Sequence, residues 1–228
     1  MSILLCIDSS TTHASVALAK DGELILEKTN FTQKDHAAFI QPAIAELMHE
    51  TNYKLADVNA ISVTSGPGSY TGLRVGFASA KGLCYALQIP LITMSTTSVM
   101  SRAAFNYLKD SDTLKEVFFI CPLIDARRMD VFTALYDHDL KEVLKPCAIT
   151  LQKDSFTEFL EKGPVFFFGT GSEKWQKMSQ NPNAHFINVS WSAKDMLQDS
   201  FKRLQEKSFT SLALSEPEYV KAFYFPQN

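Results

Sequence analysis

Two acidic residues close the apolar runs that open each half of this 228-residue chain: Asp8 ends ILLCID and Asp125 ends FFICPLID. A carboxylate at a strand end can hold Mg²⁺ and, through it, phosphate oxygens. The same side chain can instead fold back onto a following backbone amide as an Asx-turn. Both readings stay open for Asp8 and Asp125. GPGSYTG, from Gly66 to Gly72, falls between a strand and a helix, where phosphate loops sit. It does not fit G-x-G-x-x-G, because Thr71 stands where the third glycine belongs, and G-x-x-x-x-G-K-[ST] is absent from the chain. Tight turning by Gly66 and Gly68 is the simpler role. His13, His36, His49, His138 and His185 are scattered and form neither H-x-x-x-H nor H-E-x-x-H, so the sequence offers no zinc site. Cys6, Cys84, Cys121 and Cys147 are widely spaced and read as free thiols, most of them buried, in a reducing compartment. No G-x-S-x-G motif or Cys/His grouping points to nucleophilic catalysis.

These residues need elements to position them. The N-terminus reads as a three-stranded meander, residues 3–9, 13–19 and 23–30, with Lys20–Gly22 as a hairpin turn. DHAAFIQPAIAELMHET follows as a helix, with Asp35 its N-cap and Pro42 a kink or a late start. Ala60–Ser65 is a strand. The glycine-bearing helix after it is capped by Ser69 or Thr71. PLITM is a further strand, followed by helix through Leu108. Lys109–Glu116 is a polar break, dividing the chain into 1–109 and 110–228. The second part repeats the plan: strand VFFICPLIDAR, hairpin partner DVFTALYD, strand EVLKPCAIT, helix DSFTEFLEKG, strand PVFFFGTGS, strand FINVS, and an amphipathic helix SAKDMLQDSFKRLQEK with Ser192 as N-cap. The tail SEPEYVKAFYFPQN reads as an extended strap. Meander followed by alternating helix and strand is an α/β pattern with mixed sheets.

Hydrophobic residues make up 46% of the chain, enough for a full core, and the net charge is −3 without a Lys/Arg run. Autonomous tRNA or DNA binding is therefore not expected. No stretch approaches the ~20 apolar residues of a membrane span, and a cytoplasmic protein is expected.

The helix beginning near Thr71 carries Gly72, Gly76 and Gly82, each costing about 1 kcal/mol relative to alanine inside a helix. Gly72, Gly76, Ser79, Ala80 and Leu83 are placed on one flat face, with Leu73, Phe77 and Cys84 on the opposite side. Phe39, Ile40, Ala43, Ile44, Leu47 and Met48 cover about half the circumference of the preceding helix, more than one core needs. Either the remainder of the chain covers this surplus or a second subunit does.

ILLCIDSSTTHASVAL, DHAAFIQPAIAELM, SGPGSYTGLRVGFASAKGL, IPLITMST, LIDARRMDVF, FFGTGSEKW and EPEYVK resemble, in order and over nearly the whole chain, the TsaB (YeaZ) family. Its members are dimerization subunits of the bacterial tRNA threonylcarbamoyladenosine synthase complex. The resemblance implies an actin-like (ASKHA, RNase H-like) fold of two related lobes, with interface helices in 1–109 and a smaller second lobe with a C-terminal strap in 110–228. It implies a catalytic partner, TsaD, a further partner, the ATPase TsaE, and a homodimer when the chain is alone. tRNA would be met only through the complex, and no membrane is involved. The H-x-x-x-H metal pair of TsaD is matched here by Thr96 and Met100, and one carboxylate by Asp195, so the resemblance implies no metal and no catalysis by this chain. No cofactor is required; ATP or ADP at a subunit boundary stays open, with Asp8 and Asp125 as vestigial phosphate positions. The partner interface is expected at Phe39, Ile40, Ala43, Ile44, Leu47, Gly72, Leu73, Gly76, Phe77, Ala80 and Leu83. The rival reading is an ATP-dependent phosphotransferase of the actin-like fold using Asp8 and Asp125. A glycoprotease would need a metal or nucleophile that the sequence does not supply.

Overall fold

The computed structural model describes residues 1–31, 36–110 and 117–220. Asp35 and most of the polar break, 111–116, lie outside them, as does the tail beyond residue 220. The chain forms two compact units, residues 1–99 with 191–217, and residues 100–190 with 218–228. The second crossing, at residue 191, departs from the expected division at 109/110. Residues 191–217 belong to the first unit because polar anchors bind them to its sheet, as described below.

The first sheet holds β1 (Ile3–Asp8), β2 (Ala14–Lys20), β3 (Glu23–Asn30), β4 (Val58–Gly66) and β5 (Leu91–Ser95) in the order β3-β2-β1-β4-β5. β1 pairs antiparallel with β2 and parallel with β4. All six residues of β1 are buried, as a central strand covered on both faces must be. Asp21 and Gly22, both at positive φ, make the β2–β3 turn that an Asp-Gly pair favours.

One face of this sheet carries the large side chains. Ile3, Leu5, Ile7, Val16, Ile61 and Val63 pack with α1 (His36–Thr51) and α2 (Tyr70–Leu87). α1 buries His36, Ile40, Ala43, Ile44, Leu47 and Met48, a single stripe at three- and four-residue spacing. Pro42 sits on its exposed side, and the helix runs through it from residue 36, so a late start is not observed. Ser69 caps α2, accepting a hydrogen bond from the Gly72 amide at 3.2 Å.

The other face carries small and polar residues. Ser62 Oγ and Ser200 Oγ share a hydrogen bond of 2.7 Å, and Arg203 Nη1 donates to the Thr93 carbonyl at 2.8 Å. The Ala193 amide donates to Ser15 Oγ at 2.8 Å. These bonds seat the turn Ala193–Met196 and α6 (Leu197–Gln205) on the sheet.

α3 (Thr96–Asp110) then leads to the second unit. Its sheet contains β6 (Phe119–Asp125), β7 (Asp130–Asp137), β8 (Glu142–Thr150), β9 (Val165–Phe168) and β10 (Ala184–Phe186). Read from its other edge, the order is β8-β7-β6-β9-β10. The pairings repeat those of the first sheet: antiparallel among the first three strands, parallel for the last two. A duplicated mixed sheet of this order, with helices, is the actin-like fold.

Several elements differ from the sequence reading. SAKDMLQDSFKRLQEK divides into the tight turn Ala193–Met196 and α6. Helix α4 is confined to Thr157–Leu160, because Phe156 enters the left-handed region at φ 64° as its N-cap and turns into the core. The last strand lies at Ala184–Phe186 rather than at FINVS. The Asn181–Asn183 turn brings the chain alongside β9 two residues earlier, pairing Ala184 with Val165. α5 (Ser172–Gln176) forms after β9, where only a glycine turn is expected, and contributes Trp175 to an aromatic core with Phe156 and Phe167.

Candidate functional site

Asp8 and Asp125 occupy matching places, the last residues of β1 and β6. Each folds back on its own turn. Asp8 Oδ1 accepts from the Ser10 amide at 3.0 Å, from Ser10 Oγ at 2.7 Å and from Thr64 Oγ1 at 2.8 Å. Asp125 Oδ1 accepts from the Arg127 amide at 2.6 Å and from Lys174 Nζ at 2.9 Å, while the Asp125 amide donates to Thr170 Oγ1 at 3.0 Å. Both carboxylates make the Asx-turn hydrogen bond to the amide two residues on. Partial burial pushes the Asp125 carboxyl up, and the Lys174 ammonium with the Arg127 amide more than offsets this, holding it below the usual carboxylate range. Lys174 Nζ also donates to the Asp130 carbonyl at 3.1 Å.

The glycines before and within α2 explain what fills the space at its N-terminus. A Cβ on Gly68 would strike the Ser10 carbonyl oxygen, one on Gly72 the Ser9 carbonyl oxygen, and one on Gly76 Ser9 Oγ. Ser9 Oγ donates to the Gly72 carbonyl at 2.8 Å, and the Ser69 amide donates to the Ser10 carbonyl at 2.7 Å. Buried His36 adds to the closure through a 2.8 Å Nε2 hydrogen bond to the Thr11 carbonyl. The loop after β1 therefore turns carbonyl oxygens, not amides, toward the start of α2. Carbonyls repel phosphate, and Ser69 caps the helix amides of Gly72 and Leu73. A nucleotide phosphate does not fit against this helix terminus.

The chemistry-bearing residues are otherwise dispersed. No three His, Cys, Asp or Glu side chains among the described residues form a metal-binding group. Thr96 and Met100 are fully buried on α3. Cys6, Cys84 and Cys121 are buried and Cys147 is half-buried, and burial pushes all four thiols up, away from the reactive thiolate.

The residues expected at a partner interface lie mainly inside the first unit. Ile40, Ala43, Ile44, Leu47, Gly72, Leu73, Gly76, Phe77 and Ala80 are buried within the single chain, and Phe39 and Leu83 are half-buried against the same core. The two faces assigned to α2 are adjacent, about 100° apart, so the unit's own sheet and the Ser9–Ser10 loop cover both. What remains uncovered is the outer side of α2. Thr71, Arg74, Ala78, Gly82 and Ala86 are exposed there, Tyr85 is 73% exposed, and the Arg74 guanidinium lies 4.2 Å over the Tyr70 ring. A Cβ on Gly82 would meet nothing within 4 Å.

The loop partners Ser9, Ser10 and Thr64, and Lys174 beside Asp125, escape a reading of motifs. The signal for Ser9 and Ser10 is the glycines that face them, of which Gly68 reads in the sequence as a tight turn and Gly72 and Gly76 as a flat helix face; Thr64 has no such signal.

No helix among the described residues is long and apolar enough to cross a membrane. Residues 27–223 match the family model described as "TsaD: tRNA N6-adenosine threonylcarbamoyltransferase". The chain is 30% identical over 181 residues to the tRNA threonylcarbamoyladenosine biosynthesis protein TsaB of Bacillus subtilis, covering 78% of this chain and 75% of that one. It is 26% identical over 230 residues to its Escherichia coli counterpart, covering 96% and 94%. Among solved structures, YeaZ from Pseudomonas aeruginosa superposes with a TM-score of 0.77 at 24% identity, over 96% of this chain and all of that one.

Proposed function

Because this chain belongs to the TsaB (YeaZ) family, within the wider family of the tRNA N6-adenosine threonylcarbamoyltransferase model, we propose that it is the non-catalytic subunit that binds and supports TsaD. It takes part in making tRNA threonylcarbamoyladenosine. In this reading TsaD transfers threonylcarbamoyl to the tRNA adenosine beside the anticodon. TsaE joins the same assembly, tRNA is met only through the complex, and the work is cytoplasmic. The chain self-associates through the same face when TsaD is absent.

One observation carries the docking face. Gly72 and Gly76 are accounted for inside the chain by the Ser9 loop, but Gly82 is not. It sits mid-helix on an exposed line with Ala78 and Ala86, where a glycine costs about 1 kcal/mol with no return within the unit. A partner helix laid along this line, beside the outer side of α1, would supply that return by close packing.

Gly82→Gln tests the reading. The substitution improves helix propensity, so the isolated variant should melt at or slightly above the wild-type temperature. It should lose TsaD binding and self-association, measured by size-exclusion chromatography with mass detection, and fail to support tRNA modification in a reconstituted mixture. A variant that binds TsaD as wild type does would remove α2's outer side from the interface. Turnover by this chain without TsaD, or micromolar Mg-ATP binding to it, would favour the phosphotransferase instead.

A further inference from the structure

The second unit contains a half-open cavity of about 390 Å³ far in sequence from Asp8 and α2. Its walls come from the turn before α4, from α4 and α5, and from the segment that follows α5. Trp175 and Ser179 line it, and each has a buried polar atom, Nε1 and Oγ, without a hydrogen-bond partner among the described residues. Trp175 is 1% exposed, and its ring is held edge-on by Phe156 at 5.5 Å and Phe167 at 6.1 Å. The indole cannot swing out to find water. An indole nitrogen is a donor only, and a buried donor left unpaired is costly, so it marks a place for an acceptor.

The other lining groups define that acceptor. Lys153 is exposed on the rim and forms no ion pair among the described residues, and no carboxylate lines the cavity. Two neighbouring hydroxyls are already engaged: Ser155 Oγ accepts from the Gln152 amide at 2.9 Å, and Thr157 Oγ1 donates to the Asp154 carbonyl at 2.7 Å. Leu160 and Met178 give an apolar wall, and Gln180 and Asn181 a polar one.

We propose that this cavity binds a small organic carboxylate of amino-acid size. Lys153 supplies one positive charge, which matches a monoanion better than a phosphate. The Trp175 N–H and Ser179 O–H are the donors assigned to its oxygens, and the Leu160–Met178 wall takes an aliphatic part. At about 30 Å³ per water-sized group, the cavity holds roughly a dozen such groups, the size of a free amino acid or hydroxy acid with a few waters.

The chain has two tryptophans, Trp175 and Trp191, so the full-length protein labelled with ¹⁵N-tryptophan gives two indole N–H signals. The probes are the free amino acids, acetate and inorganic phosphate. Saturable displacement of the Trp175 signal by at least one amino acid or by acetate, with Trp191 unmoved, is expected. Lys153→Ala should weaken that binding about tenfold, and Ser179→Ala should weaken it measurably. Because Lys153 is exposed, its substitution leaves the fold intact and keeps the test decisive. No saturable displacement, equal binding by Lys153→Ala, phosphate binding as tight as carboxylate, or an ordered water as the sole partner of the indole would each overturn the proposal.

Discussion

The carboxyl of Asp195 accepts a hydrogen bond from the Ser192 amide at 2.9 Å at the turn leading into α6. Burial pushes its pKa up from 3.8 to about 6; the Ser192 amide and Lys194 oppose the rise, and Glu27 and Asp8 add to it. A carboxyl raised in the folded state binds its proton more tightly there than in the unfolded chain. Its contribution to stability is therefore full below pH 3.8 and falls as pH rises through about 6. Asp195→Asn keeps an acceptor for the Ser192 amide and removes the charge. It should flatten the decline between pH 4 and 6 and stabilise the protein at pH 7 by on the order of 1–2 kcal/mol. Chemical denaturation across that pH range reads this out, and a slope unchanged by the substitution would show that Asp195 ionises without cost. At this scale the sequence was partly legible. Asp8 and Asp125 are recognisable as strand-end carboxylates, but what saturates them is not. Thr64 and Lys174 reach them from β4 and α5, across separations of 56 and 49 residues that no motif encodes.

Helix α2 contains two kinds of glycine position. Gly72 lies under the Ser9 carbonyl, a backbone group that cannot rotate away, and beside His36. Gly72→Ala should therefore destabilise the isolated protein by about 1–3 kcal/mol, as overpacking does, despite its gain in helix propensity. The corresponding fall in melting temperature is several degrees for a chain of this size. A variant as stable as wild type would mean that the loop after β1 yields at little cost. Helix and strand existence followed from periodicity nearly everywhere, since α1, α2 and the two meanders have strong repeats. Among the misread elements, α4, α5 and β10 are short and lie among aromatics. There Phe156, Phe167 and Trp175 dictate the path by packing, and a local pattern of four or five residues cannot outweigh that.

At the scale of the whole molecule, the repeated strand order was foreseen as a shared plan, but the return of residues 191–217 to the first unit was not. Its anchors are Ser200, Arg203 and the Ala193 amide, single polar contacts that have no periodicity of their own. A chain ending at Ser190 keeps every strand of the first sheet and leaves Cys6, Ser62 and Thr93 without their cover. It should bind a hydrophobic dye and aggregate on purification, whereas a monodisperse, cooperatively melting product would show that the segment is dispensable.

The position of that segment also sets an order of events at the ribosome. Residues 1–99 emerge first, yet their sheet waits for residues 191–217 before its second face is closed. The whole of 100–190 is synthesised in the interval. The half that begins the protein is thus completed only when nearly the whole chain has been made, and a chaperone meeting the nascent chain would find the uncovered side of β1, β4 and β5 throughout that delay.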